Sequence, residues 1–311
     1  MDVTAAADAI RRGELVGMPT ETVYGLAANA LDARAVLRVF EAKGRPRFDP
    51  LIVHCADLAM AKTVAGFSPR AERLATLWPG PLTLVLPRLT CIPDAVTAGL
   101  DTVAVRIPDH PVALALIRAA GVPLAAPSAN RFGRISPTTA AHVAEQLGDA
   151  VACILDGGPC RVGVESTVLR PDPSPVVLRP GGITRERLAE ALGEPVVLAD
   201  RSARVEALPQ EAPGLLASHY APRSPLRLRE PGEAWPLDAA LLAFTGTDLP
   251  SGSTCAVLSP SGDLAEAAAN LFARLRELDA ANPRLIVAEL VPDNGLGEAV
   301  NDRLRRAAGL G

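Results

Sequence analysis

Apolar positions in the first two-thirds of the chain switch repeatedly between two spacings. Runs with apolar residues three and four apart predict helices, and short β-branched or alternating runs predict strands. A helix is expected over residues 5–12, opened by Thr4 and stopped by Gly13, followed by a strand at 15–19. Asp32 caps a second helix with Ala33, Val36, Leu37 and Phe40 at helical spacing. Further strands are expected at 51–55, 82–86, 102–107, 122–126, 152–155, 166–170 and 176–179. Helices fall between them: from Ser68-Pro69 to just before Pro79-Gly80, over 111–119, from Ser136-Pro137 to Gly148, and from Thr184 to Gly193.

The rhythm then breaks. Residues 200–224 hold Pro209, Pro213, Gly214 and Pro222 and show no periodicity, the composition of a linker. A second alternation follows, with strands at 239–244, 254–258 and 285–289 and helices at 263–278 and 297–308. The reading is two α/β units, 1–199 and 225–311, the second a small parallel one, joined by the linker 200–224.

Composition narrows the functional classes. With 311 residues, 49% hydrophobic and 21% charged, the chain is globular. A net charge of −4 argues against a nucleic-acid coat, although a local basic patch fits. No apolar run reaches the roughly 18 residues that cross a bilayer, and Asp2, Asp8, Arg11 and Arg12 exclude a secretion signal over the first helix. The five cysteines are scattered and form no C-x-x-C pair, so a reduced, cytoplasmic protein without a zinc ribbon is expected. Only Lys43 and Lys62 are lysine among 31 basic residues, which makes a lysine inside a motif noteworthy.

Seven short motifs carry polar chemistry. Lys43-Gly44-Arg45 sits in a stretch, 34–47, with five basic residues and one acid, Glu41. In an extended backbone Lys43 and Arg45 would point the same way, a pairing suited to a polyphosphate, although those residues taken alone read more readily as a solvated basic loop after a helix. Ser128 and Asn130 follow a strand, where open α/β sheets bind ligands. Residues 19–25 crowd Thr20, Glu21, Thr22 and Tyr24 at another strand end. Arg106 lies in an apolar strand and needs an anion, either a structural carboxylate or a ligand's. Residues 163–167 and 178–182 open and close strands with Glu165, Ser166 and Arg179, and His219-Tyr220-Ala221-Pro222 stands out in the linker. His54, at a strand end, ranks first of the four histidines. No P-loop, G-x-G-x-x-G, G-x-S-x-G or metal-binding His/Cys spacing occurs.

In order and spacing, these motifs together resemble the YrdC-type threonylcarbamoyl-AMP synthases, densely over residues 1–195, and the linker and second unit resemble the long, two-domain form. The resemblance implies a twisted mixed α/β sheet around a basic cleft. It implies an enzyme that joins L-threonine, bicarbonate or CO2, and ATP into threonylcarbamoyl-AMP, releasing pyrophosphate. Mg²⁺ would come with ATP. A partner enzyme would then transfer the group to tRNA, leaving open whether this chain touches tRNA itself. By motif match, Lys43 and Arg45 would be catalytic. Arg45, Asp49, Thr102, Ser128, Asn130, Ser136, Arg179 and Tyr220 would meet ATP. Thr22, His54, Arg106, Ala126 and Ser166 would hold threonine. Asp49 stands where the family usually has Asn. The linker would close over the nucleotide as a lid carrying Tyr220, so a chain cut after Ser224 would keep function and one cut after Glu194 would not. The alternatives are an RNA-binding module, and carbamoyl-adenylate chemistry of the hydrogenase-maturation type, whose cysteine pairs are missing here.

Overall fold

The computed structural model describes residues 2–199 and 219–310. Helices α1 (Val3–Arg11), α2 (Ala33–Lys43), α3 (Leu58–Lys62), α4 (Pro69–Leu74), α5 (Asp94–Thr97), α6 (Pro111–Ala120), α7 (Ala140–Leu147) and α8 (Arg185–Leu192) alternate with ten strands. These are β1 (Val16–Met18), β2 (Gly25–Asn29), β3 (Ile52–His54), β4 (Leu82–Pro87), β5 (Thr102–Arg106), β6 (Leu124–Ala125), β7 (Cys153–Ile154), β8 (Thr167–Arg170), β9 (Val176–Arg179) and β10 (Val197–Leu198). They form one mixed sheet in the order β10-β9-β8-β4-β5-β3-β6-β2-β1-β7. At its centre β3 runs parallel to β5 and antiparallel to β6, which aligns His54 with Arg106 in register.

Side chains alternate across this sheet. On β2, Leu26 and Ala28 enter the core built with Val36, Val39 and Phe40 of α2. Ala27 enters the opposite core, with Ile10 of α1 and Leu116 and Ile117 of α6. Helices therefore cover both faces.

The second sheet is wholly parallel, ordered β11-β14-β12-β13, from β11 (Leu226–Leu228), β12 (Ala240–Ala243), β13 (Cys255–Val257) and β14 (Ile286–Ala288). Helices α9 (Leu264–Ala280) and α10 (Gly297–Ala307) belong to this unit. The expected mixed sheet and small parallel unit are both present. No helix among the described residues is long and apolar enough to cross a membrane.

The two units share apolar packing. One buried cluster joins Val23, Ile135, Val164 and Tyr220 to Leu271, Phe272, Val300 and Leu304. Gly163, at φ +75°, permits this contact: a Cβ there would come within 2.4 Å of the α9 backbone at Ala268 and Ala269.

Several elements differ from the expectation. The first helix starts at Val3, after Asp2, rather than after Thr4. Residues 19–24 form a buried link between the antiparallel strands β1 and β2, and β2 itself, Gly-Leu-Ala-Ala-Asn, lacks the β-branched residues that signal a strand. The helix expected from Ser136 begins at Ala140, because Thr139 accepts the cap bond from the His142 amide while Ser136 is engaged elsewhere. Most of the linker, residues 200–218, lies outside the described residues, so the proposed lid is visible only at its exit, from His219 onward.

Candidate active site

A narrow pocket opens between the ends of the central strands, the link between β1 and β2 and the segment His219-Tyr220. Nine of the expected residues line it: Thr22, Arg45, His54, Arg106, Ala126, Ser128, Ser166, Arg179 and Tyr220.

Arg45 reaches the pocket because α2 stops abruptly. Gly44 takes the left-handed C-cap conformation at φ +62°, which a side chain would strain, and turns the chain after Lys43. Arg45 Nε donates to the Asp49 carbonyl at 3.1 Å, and Nη2 donates to the Pro50 carbonyl at 3.0 Å and pairs with the Asp49 carboxylate at 2.8 Å. Asp49 is fully buried and is not part of the pocket lining. Its carboxylate is directed to Arg45, not into the cavity.

Lys43 stands behind the wall. Its ammonium donates to the Ser128 and Asn130 carbonyls, each at 2.6 Å, and so ties the end of α2 to the loop after β6. Burial, followed by the neighbouring Arg45 charge, holds its pKa well below the ordinary lysine value. The Asn130 amide donates to the Arg131 and Arg134 carbonyls and braces the same loop. Lys43, Asn130 and Ser128 are thus brought together, with only Ser128 on the pocket surface.

Arg106 ends β5 with three partners. Nη2 lies 2.6 Å from the Glu21 carboxylate, Nη1 donates to Thr22 Oγ1 at 2.9 Å, and Nε donates to the Gly80 carbonyl at 3.3 Å. The two sequence alternatives for Arg106 coexist, since it has a structural carboxylate and also faces the cavity. His54 Nδ1 lies 3.2 Å from the Ile52 carbonyl. Burial, then the Arg106 charge, pushes its pKa down to about 3, so the ring is neutral at pH 7.

At the other side Ser166 Oγ lies 2.7 Å from Thr83 Oγ1, and Arg179 Nη2 donates to the Ser166 carbonyl at 2.9 Å. Glu165 joins the lining, accepting from Ser136 Oγ at 2.5 Å and from Arg303 Nε of α10 at 2.8 Å. Ser136 is therefore buried behind Glu165. Thr102 begins β5, about 13 Å along the strand from Arg106, and does not line the pocket.

Tyr220 is buried, stacks on Phe272 at 5.6 Å between ring centres, and meets the His219 ring edge-on at 4.2 Å. The wall thus carries three guanidinium groups and one carboxylate, and the three nearby acids each neutralise a cation: Asp49 with Arg45, Glu21 with Arg106, Glu165 with Arg303. This is a site for anions.

Glu21, Glu165 and His219 fell within motifs in the sequence but had no role there. Arg303 had no signal at all, because a charged helix face reads as solvated.

The mixed sheet and its arginine-lined pocket define the YrdC-like class of α/β proteins. The family model described as "Telomere recombination" (Sua5_yciO_yrdC) matches residues 8–181, and that of the threonylcarbamoyl-AMP synthase C-terminal domain matches 183–309. The chain belongs to the threonylcarbamoyl-AMP synthase family. It is 44% identical to the Bacillus subtilis threonylcarbamoyl-AMP synthase, covering 99% of this chain and 93% of that one. The Pyrococcus abyssi enzyme of the same name is also 44% identical, covering 99% and 94%. The crystal structure of P. abyssi Sua5 complexed with L-threonine superposes with a TM-score of 0.89 at 41% identity, covering 99% of this chain and 94% of that chain. E. coli YciO, at 24% identity and TM-score 0.51 over 58% of this chain and 88% of that one, shares the fold.

Proposed function

We infer that the protein is an L-threonylcarbamoyladenylate synthase. It converts L-threonine, CO2 or bicarbonate, and ATP into threonylcarbamoyl-AMP and pyrophosphate. The observation that carries this is the convergence of Arg45, Arg106 and Arg179 on one pocket in a chain 44% identical to synthases over nearly its whole length.

The threonine amine adds to CO2, losing a proton, and gives a carbamate. A carbamate oxygen attacks the α-phosphorus of ATP, and the bond to pyrophosphate breaks. The nucleophile already carries its charge, so the protein's task is to offset repulsion and fix the approach. Arg106, with Thr22, His54, Ala126 and Ser166 around it, takes the threonine carboxylate and polar groups. Arg45, Ser128, Arg179 and Tyr220 take the nucleotide. Lys43 and Asn130 act through the loop that carries Ser128, and Asp49 and Ser136 through Arg45 and Glu165; Thr102 stands outside the pocket lining, at the start of β5.

Mg²⁺ would arrive with ATP and offset part of the charge on its phosphates. The product then goes to a transferase that modifies tRNA. A cytoplasmic setting suits these substrates and the five free cysteines.

The test is purified protein with ATP, Mg²⁺, labelled bicarbonate and single amino acids. Pyrophosphate release that requires both threonine and bicarbonate supports the reading. Release indifferent to threonine, or salt-sensitive RNA binding without turnover, refutes it.

A further inference from the structure

Helix α10 buries three charged residues, Asp302, Arg303 and Arg306, each at most 2% exposed. Docking a helix does not require this. Apolar residues of similar volume serve a buried interface as well or better, because ions must be stripped of water. Among the described residues, Arg303 Nη2 also has no hydrogen-bond partner. A buried cation that is not fully satisfied is a stability cost, so its placement needs another reason.

Its contacts give one. Arg303 Nε donates to Glu165 Oε2 at 2.8 Å, Nη1 donates to Asp302 Oδ2 at 2.5 Å, and the guanidinium carbon lies 5.1 Å from the centre of the Tyr220 ring. Glu165 and Tyr220 both line the pocket. The Glu165 carboxylate is held on both oxygens, by Ser136 and by Arg303. Tyr220 sits at φ +64°, a left-handed conformation that a non-glycine residue keeps only when its surroundings impose it. Two of those surroundings, Phe272 and Arg303, come from the C-terminal unit.

We propose that the C-terminal unit completes the nucleotide pocket through Arg303, a positioning residue that fixes Glu165 and Tyr220 in the pocket wall. The proposal rests on reading the pocket as an ATP site. Without Arg303, Glu165 loses its direct ion pair beside the triphosphate, and Tyr220 loses the cation against its ring. Threonine, on the Arg106 side, is affected less.

The experiment compares the full chain with Arg303→Met and with the double variant Arg303→Met/Glu165→Gln, each checked for folding by near-UV circular dichroism. Two readouts are taken. The chain has two tyrosines, so ¹³C-tyrosine NMR resolves Tyr220 from Tyr24 without ligand. Calorimetry gives separate ATP and threonine affinities. Arg303→Met should move the Tyr220 ring resonances and not those of Tyr24, and weaken ATP about tenfold with threonine within about twofold. The double variant should regain most of the ATP affinity, since no unpaired carboxylate remains. If Arg303→Met does not fold, Arg303→Lys, which keeps the charge and loses the fork, should give the same pattern at smaller size. An unmoved Tyr220 resonance, an unchanged ATP affinity, or an equal loss for ATP and threonine in a folded variant overturns the proposal. If the wild-type chain binds no ATP, the functional reading fails by itself, and the Tyr220 resonance still decides whether Arg303 sets the wall.

Discussion

Arg106 divides one guanidinium between a buried carboxylate, Glu21, and the cavity. Replacing it alone would strand Glu21, so the informative variant is Glu21→Gln/Arg106→Met. Loss of a charge-assisted contact of about 1.5–3 kcal/mol should raise the threonine KM roughly ten- to hundred-fold, with ATP much less affected. Steady-state kinetics with threonine varied checks this, and an unchanged threonine KM makes Arg106 a purely structural ion pair. Asp49 gives a second residue-level test. In Asp49→Asn the Arg45 guanidinium keeps its bonds to the Asp49 and Pro50 carbonyls while the cavity gains net positive charge. ATP affinity should hold or improve. The thermal midpoint should drop without ATP, because a buried cation has lost its partner, and recover with it. Severe loss of turnover would assign Asp49 a direct role at the phosphates.

At the scale of elements, Lys43 joins the end of α2 to the loop after β6. Lys43→Met should therefore lower both stability and adenylate formation, whereas a free cation at the phosphates would affect turnover alone. Parallel urea melts and pyrophosphate assays separate the two. The sequence made α2 plain through Asp32 and Gly44, and it made β5 plain through alternation with a misplaced Arg106. It hid β2, whose alanines carry no strand preference, and it misplaced the start of α7, since Ser136 looks like a cap until Glu165 takes its hydroxyl. Several of the motifs stood out because they lie at strand ends, while the roles within them came from the family resemblance. Their long-range partners were not legible: the Glu165–Arg303 pair spans 138 positions, and local pattern says nothing about such distances. The same pair reverses the expectation for truncation. A chain ending after Ser224 loses Phe272 and Arg303 from around Tyr220 and uncovers Val23, Ile135 and Val164. It should bind ATP poorly and aggregate, and light scattering with ATP calorimetry on that fragment checks this.

Across the whole molecule, burial lowers the pKa of all four histidines, His110 among them. Burial first, then the Arg106 charge, pushes His54 to about 3; burial first, then Arg276, pushes His142 to about 4; and burial, then Arg45, takes His219 well below its ordinary value. Unfolded histidines titrate near about 6.5, so below that pH the unfolded chain binds protons that the folded chain refuses. Stability is therefore full above about pH 6.5 and falls as the solution is acidified, by at most about 1.4 kcal/mol per pH unit for each of His54 and His219. Burial opposes ionisation of Glu165, but Arg303 and Arg179 prevail and keep its pKa below the usual carboxylate range, so its contribution is lost only at lower pH. Urea midpoints at pH 7, 6 and 5 should decline steadily, and a flat series would mean that these rings accept protons within the fold.

The reach from Glu165 to α10 also has a bearing on how the chain is made. Synthesis proceeds from the N-terminus and early segments fold first. The ten-stranded sheet is complete in sequence at Leu198 and can assemble while the residues up to α10 are still being added. A polypeptide interrupted between β10 and α10 has Arg45, Arg106 and Arg179 but lacks Arg303 behind Glu165, so its full affinity for ATP is expected only once α10 has emerged.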